Sequence, residues 1–432
     1  MIERDLKHIW HPCSQMKDYE TFRPLEVVGA NGSHIELKDG RKIIDAISSW
    51  WCKSLGHQHP RLKKALLRQI EKFEHVILAN TTNETIVTLS EKLSSLTPSL
   101  NKIFYASDGS CAVEIAMKMS LHAREIKGEN RHVFLALENA YHGETVGALS
   151  VSDISIYRNP YATMLFKPHF ISSLPYVNGI EDPLWNNCEM HWQQIEKQLA
   201  PYAETATAVI VEPIMQGAGG MKIYSQDFLR RLRQWSREHG VHFIADEILT
   251  GMGRTGKMLA CQYADIEPDI LCLAKGLTAG WLPLSAVLTH QSMYDLFYND
   301  YASGKSFLHS HTFSGNALAA SVAIEVLSAL EEGLCKRASE LSLEMHKYML
   351  EIADNTKKLT NVRGIGAMVA ADLICNDPKR RLGFEVFQKA VELGALLRPL
   401  GNTIYWFPPL NIDDIDLAKL KMITERAIHS IH

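Results

Sequence analysis

Lys275 follows the apolar run Ile270-Leu271-Cys272-Leu273 and precedes Gly276. A lysine at the exit of a buried strand is costly unless its amine is paired, deprotonated or used covalently. The glycine after it lets a ligand approach the backbone closely. Asp246 closes a second apolar run, Val241-His242-Phe243-Ile244-Ala245, and Glu212 closes a third, Ala208-Val209-Ile210-Val211. A fourth run, Ile103-Phe104-Tyr105-Ala106, ends in Ser107-Asp108-Gly109-Ser110. Behind that turn Ala112, Ala116, Met119 and Ala123 form a helical stripe. A helix that begins at Gly109-Ser110 offers free N–H groups and a favourable dipole to a phosphate. Singly, these features have ordinary explanations: an exposed lysine, a capping aspartate, a routine N-cap. Jointly they are what pyridoxal phosphate requires: a lysine for the Schiff base, an acid that keeps the pyridine nitrogen protonated, and a phosphate seat. Lys275 then has a second task, because its freed amine can carry a proton to and from the substrate carbon. Tyr141, in Tyr141-His142-Gly143, follows the run ending at Leu137 and can lay its ring against the pyridine face.

The elements that position these residues are legible in outline. The apolar runs are continuous instead of alternating, which fits strands buried on both faces of a mainly parallel sheet. Further runs occupy 132–137 and 284–288, and helices over 109–127 and 227–239 supply crossovers. In such sheets ligands sit beyond the carboxyl ends of the strands, where the ionisable residues fall. From about 315 the texture turns helical, followed by candidate strands at 367–370 and 403–407. We expect a large α/β domain at 56–315, and a smaller α+β domain in which the N-terminal segment 1–55 packs with residues 316–432.

The chain has 432 residues, 45 basic against 49 acidic, and a net charge of −4, which gives no electrostatic footprint for nucleic acid or anionic lipid. No apolar stretch approaches the ~18 residues of a membrane helix, and Met1-Ile2-Glu3-Arg4-Asp5-Leu6 lacks the apolar core of a secretory signal, so a cytoplasmic protein is expected. The eight cysteines include no CxxC pair and read as reduced thiols. Gly251-Met252-Gly253-Arg254-Thr255-Gly256-Lys257 imitates a nucleotide-binding loop, but Met258 stands where a hydroxyl residue is required. We read it as a Gly-rich surface turn. His57 and His59, two residues apart, lack the helical spacing of a zinc pair, so no metal site is expected.

Taken in order, Gly109-Ser110, Tyr141-His142-Gly143, Glu212-Pro213-Ile214, Ala245-Asp246-Glu247, Lys275-Gly276 and His311-Thr312-Phe313-Ser314-Gly315-Asn316 resemble the class III (ω-) aminotransferases. The resemblance spans almost the whole chain. It implies fold type I, a pyridoxal-phosphate cofactor, and a homodimer with active sites at the interface. Residues His311 and Thr312 would then serve the cofactor, Thr312 through the phosphate held by the partner subunit. By the same resemblance Glu212 lies near the substrate side of the cofactor, and Arg254 is the matching arginine of the Gly-rich turn.

The chain ends narrow the resemblance to a branch that aminates 8-amino-7-oxononanoate with S-adenosylmethionine in biotin synthesis. The matching residues are Ile9-Trp10-His11-Pro12, Ser48-Ser49-Trp50-Trp51, Leu397-Arg398-Pro399, Thr403-Ile404-Tyr405 and Pro408-Pro409. A keto substrate with an apolar chain ending in a carboxylate wants aromatic walls and one fixed guanidinium. The resemblance gives Trp50 as a wall, Tyr141 as a polar ring edge, Arg398 as the carboxylate fork and Ser310 as a further substrate contact. Trp51 is expected to pack in the core. Three positions depart from the pattern: Cys13 replaces a common tyrosine, Ser310-His311 replaces Gly-Pro, and Glu144 replaces aspartate. Lysine stays open as the amino donor, and another ω-amino acid aminotransferase or a non-catalytic scaffold are the rival readings.

Overall fold

A computed structural model describes residues 1–377 and 379–431. Its centre is a seven-stranded sheet built from β1 (Lys102–Ala106), β2 (Val133–Leu137), β3 (His169–Ile171), β4 (Ala206–Val211), β5 (His242–Asp246), β6 (Ile270–Leu273) and β7 (Ser285–Thr289), in the order β1-β7-β6-β5-β4-β2-β3. The pairings from β6 through β5, β4 and β2 to β3 are parallel. Strand β7 runs antiparallel to both of its neighbours, β6 and β1. Every residue of β4, β6 and β7 is buried, which accounts for their continuous apolar texture.

Helix α1 (Gly109–Lys127) follows β1 and buries the expected stripe of Ala112, Ala116, Met119 and Ala123. Asp108 caps it by accepting the Cys111 N–H at 2.9 Å, and Gly128, in the left-handed region, ends it. Helix α2 (Gln226–Glu238) leads into β5 and is capped by Ser225. The helical texture beyond 315 resolves into α3 (Ala317–Ala329) and α4 (Cys335–Thr356).

The two ends of the chain meet. Ala395–Leu396 pairs in parallel with Lys42–Asp45, adding a C-terminal strand to an N-terminal sheet. The Phe407 N–H donates to the Ala46 carbonyl at 2.7 Å. A separate antiparallel sheet joins Leu359–Ile365, Met368–Leu373 and Thr403–Trp406.

One expectation is corrected. The segment Gly251–Thr255 is buried and not a surface turn. Glu247 holds the chain just beyond it by accepting the Ala260 and Cys261 N–H groups at 2.6 and 2.8 Å. Arg254 Nη1 donates to the Ala367 and Pro408 carbonyls at 3.3 and 2.7 Å, and its guanidinium lies 3.9 Å from the Phe407 ring centroid. The glycines therefore serve close packing against the C-terminal segment. Among the described residues no helix is long and apolar enough to cross a membrane, and no group of three His, Cys, Asp or Glu residues is arranged to hold a metal ion.

Candidate active site

The carboxyl ends of β1, β2, β4, β5 and β6 open into one cavity of about 540 Å³, lined among others by Gly109, Ser110, Tyr141, Glu212, Asp246 and Lys275. Asp246 is the last residue of β5, and the parallel register places it opposite Cys272 on β6, three residues before Lys275. Asp246 Oδ2 lies 2.7 Å from His142 Nδ1, and its Oδ1 accepts the Ile248 N–H at 3.1 Å. His142 and Asp246 are both buried, so each satisfies the other's hydrogen-bonding group away from water.

Lys275 leaves β6 with φ +42°, a left-handed conformation that is uncommon for a side-chain-bearing residue. Such strain persists only where the surroundings impose it, and it gathers at functional sites. Its Nζ stands 5.0 Å from the Trp51 ring centroid. Burial makes the amine less basic than an ordinary lysine, opposed by Asp246 and Glu212. That is the direction an amine nucleophile and proton carrier needs.

Glu212 follows β4 and ties two neighbours together. Its Oε1 accepts the Tyr141 N–H and its Oε2 the Gly217 N–H, each at 2.9 Å. Burial pushes its carboxyl up to about 7, against the pull of His142. The Tyr141 hydroxyl donates to Glu144 at 2.9 Å, so the departure at residue 144 still provides an acceptor.

The phosphate seat is shaped by small residues. Gly143 has φ +130°, and a Cβ there would fall 2.3 Å from Ser110 Oγ. Ser110 Oγ accepts the Thr145 N–H at 3.1 Å and lies 2.7 Å from the Thr145 hydroxyl. The start of α1, Ser110 and this cradle together suit an anionic oxygen cluster. His142 Nε2 and Trp281 Nε1 are buried without a partner among the described residues, and both residues line the cavity. An amine, a carboxylate, a helix start and unsatisfied polar atoms around one cavity fit pyridoxal phosphate.

A second cavity of about 860 Å³ lies beyond Trp51, which lines both. It holds Cys13, Tyr19, Trp50, Tyr157, Arg398 and Tyr405. The two tryptophans part at a left-handed turn, because Ser48, Ser49, Trp50 and Trp51 all have φ between 45° and 78°. Asp45 anchors the turn by accepting the Ser49 N–H at 2.9 Å and hydroxyl at 2.6 Å, and it also pairs with His57 at 2.9 Å. Trp51 donates Nε1 to the Tyr405 hydroxyl at 3.0 Å, while Trp50 stays 42% exposed. The Arg398 guanidinium lies 4.2 Å from the Trp50 ring centroid and donates one N–H to the Cys13 carbonyl at 2.7 Å. No acidic side chain pairs with Arg398 among the described residues.

Ser310, His311 and Thr312 line neither cavity within one chain. They sit on a strap over 301–314 that opens with a 3-10 turn at Tyr301–Ser303, where Tyr301 is 93% and Leu308 88% exposed. The roles of His142, Trp51 and Trp281 were not read from sequence. His142 adjoins the recognised Tyr141, but nothing local reveals a partner 104 residues away. The expectation that Trp51 packs in the core is half the truth, since it is buried and also faces Lys275.

Comparison with known proteins agrees with this geometry. Residues 15–428 match the family described as aminotransferase class-III. Adenosylmethionine-8-amino-7-oxononanoate aminotransferase of Helicobacter pylori is 38% identical over 96% of this chain and 94% of its own. The crystal structure of the enzyme of that name from Methanocaldococcus jannaschii superposes with a TM-score of 0.91 at 32% identity, covering 99% of this chain and 98% of that one. An amine transaminase from an uncultivated Pseudomonas species, solved with the cofactor bound, gives a TM-score of 0.89 at 29% identity, with 98% of each chain covered. The cavity at the strand ends, with its lysine, aspartate and helix start, is thus of a known kind, and the chain belongs to the class III aminotransferases, which depend on pyridoxal phosphate.

Proposed function

We propose that this aminotransferase moves an amino group from S-adenosylmethionine to 8-amino-7-oxononanoate, giving 7,8-diaminononanoate for biotin synthesis. The observation that carries the reading is the second cavity, where Arg398 stacks on Trp50 with no acidic partner among the described residues, beside a site able to transfer an amine. A fixed guanidinium on an aromatic wall suits a carboxylate at the end of an apolar chain. The names of the relatives point the same way.

Pyridoxal phosphate, when bound, supplies an electron sink for the negative charge that develops at the substrate carbon. Gly109, Ser110 and the start of α1 would hold its phosphate, Asp246 would keep its ring nitrogen protonated, and Lys275 would hold it covalently. His142 holds Asp246 in orientation. Lys275, with basicity reduced by burial, carries the proton to and from the reacting carbon. Tyr141 orders one wall through its bonds to Glu212 and Glu144, and Trp51 separates the reacting end from the substrate tail.

We assign residues 56–315 to the cofactor-binding body, with 1–55 and 316–432 closing over it. The active form is a cytoplasmic homodimer in which Ser310, His311 and Thr312 of one subunit reach the site of the other. Lysine as donor is a second reading, motivated by Cys13, whose thiol lies 3.6 Å from the Tyr157 hydroxyl and stands where the family resemblance implies a tyrosine.

The test is a half-reaction. S-adenosylmethionine should change the absorption of the bound cofactor, and 8-amino-7-oxononanoate should reverse the change. A response to lysine alone would change the donor. Reversal by pyruvate but not by the amino ketone would move the protein to another ω-amine substrate.

A further inference from the structure

Among the charged groups that line the reaction cavity, Glu212 is left without a counterpart. Asp108 is occupied at the start of α1 by the Cys111 N–H and thiol, Glu144 takes the Tyr141 hydroxyl, and Asp246 pairs with His142. Glu212 receives two backbone N–H groups and no cation within salt-bridge distance among the described residues. It is only 4% exposed, so water does little to stabilise its charge. Each carboxylate oxygen can accept more than one hydrogen bond, so both have capacity left. Lys275 is the one lysine or arginine lining this cavity, and its amine is committed to the cofactor. The cavity that holds Lys275 therefore has a surplus carboxyl group. A buried charge of this kind becomes favourable only when a ligand brings the opposite one.

We propose that Glu212 receives the second, non-reacting ammonium group of the acceptor, on the carbon next to the ketone, and so selects amino ketones over plain ketones. This rests on the acceptor proposed above and names how one of its groups is recognised. The burial that pushes the carboxyl up to about 7 is what such an ammonium would reverse. The same contact would fix which face of the ketone meets the amine, since the ammonium and the distal carboxylate at Arg398 anchor the substrate at two points.

The experiment compares 8-amino-7-oxononanoate with 7-oxononanoate, which lacks the amine, on wild-type holoenzyme and on Glu212→Gln. Steady-state kinetics give the kcat and KM split, and ligand-induced shifts in Tm report binding. The wild type should favour the amino ketone. Glu212→Gln replaces one of its two acceptor oxygens with a donor, which costs both ketones the bond to Tyr141 or Gly217, and it should lower kcat/KM for the amino ketone by about a further 10–100-fold, mainly through KM. Equal losses for both ketones would overturn the proposal and leave Glu212 as an anchor for the Tyr141 and Gly217 backbone. If Glu212→Gln does not fold, equal use of both ketones by the wild type overturns it as well. A wild type that accepts neither ketone would defeat the substrate reading itself, and this one with it.

Discussion

The strand-end cavity and the strap over 301–314 carry chemistry-bearing residues in opposite ways. In the cavity these functional side chains stand on the last residue of a strand or within two residues past it, and a buried sheet fixes the register: Asp246 on β5, Lys275 after β6, Glu212 after β4. Their positions need only this chain. On the strap, Ser310 and Thr312 are exposed, and the polypeptide is tied back mainly through His75 to the Thr312 carbonyl at 2.8 Å and through a short histidine chain. Exposed Tyr301, Leu308 and Phe313 surround them. The contrast teaches that one chain builds the cavity, while Ser310 and Thr312 are left at the surface, as the dimer proposed above requires.

The sharpest break of that contrast is Lys275→Ala, which should reduce transamination by about 10⁴-fold or more, since it removes both the cofactor's anchor and the proton carrier. Measured turnover within 100-fold of wild type would unseat Lys275. Asp246→Asn should cost about 10²–10³-fold in kcat, because a preorganised charge aimed at the ring nitrogen is lost. The cofactor's absorption should also change its pH dependence in that variant, and an unchanged profile would argue against the contact. Thr312→Ala should be milder, weakening cofactor retention by about 10-fold through loss of one hydrogen bond to a charged group. Its decisive form is a mixed dimer of Lys275→Ala and Thr312→Ala subunits. If the strap serves the partner, such a dimer regains one intact site and about half the wild-type rate per dimer. If Thr312 serves its own chain, the one site that keeps Lys275 carries the Thr312→Ala defect, and its cofactor retention stays about 10-fold weakened.

The same contrast explains what the sequence disclosed. Six of the seven strands of the central sheet, α1 and the residues that close β1, β4, β5 and β6 were legible, because burial on both faces leaves unbroken apolar runs whose ends are visible; the three-residue edge strand β3 was too short to show. The antiparallel sense of β7 was not, since Leu284 to Leu288 reads identically in either direction. The burial of Gly251–Thr255 was hidden because its covering residues, Ala367, Phe407 and Pro408, lie over a hundred positions away. The left-handed turn at 48–51 had no local signal either. Ser-Ser-Trp-Trp carries no glycine, and the strain is imposed by Asp45 and by Ser48 Oγ donating to the Phe407 carbonyl at 2.7 Å. Pairs such as His142 with Asp246 exist only once the sheet has formed.

The smallest effect concerns the strap's own tie. Lys118 Nζ lies 2.8 Å from His309 Nδ1, and His309 Nε2 lies 2.9 Å from His311 Nε2. A lysine ammonium only donates, so His309 must be neutral, accept at Nδ1 and donate its Nε2 proton to His311. Burial, then Lys118, then His311 lower the proton affinity of His309, with Glu114 opposing. Phe104 and Phe307 pack against its ring. A released strap takes up a proton near the ordinary histidine value of about 6.5, while the docked one resists until lower pH. Acid therefore binds more protons to the released form and favours release as pH falls below that value. Relative to the intrinsic exchange rate at each pH, the amides of 301–314 should be roughly 3–10-fold less protected at pH 5.5 than at pH 7.5. His309→Gln keeps one acceptor for Lys118 and one donor for His311 but cannot titrate, so its strap should be protected almost equally at both values. A variant strap that still loosens in acid would place the switch elsewhere, and would make the strap's attachment depend on its surroundings alone.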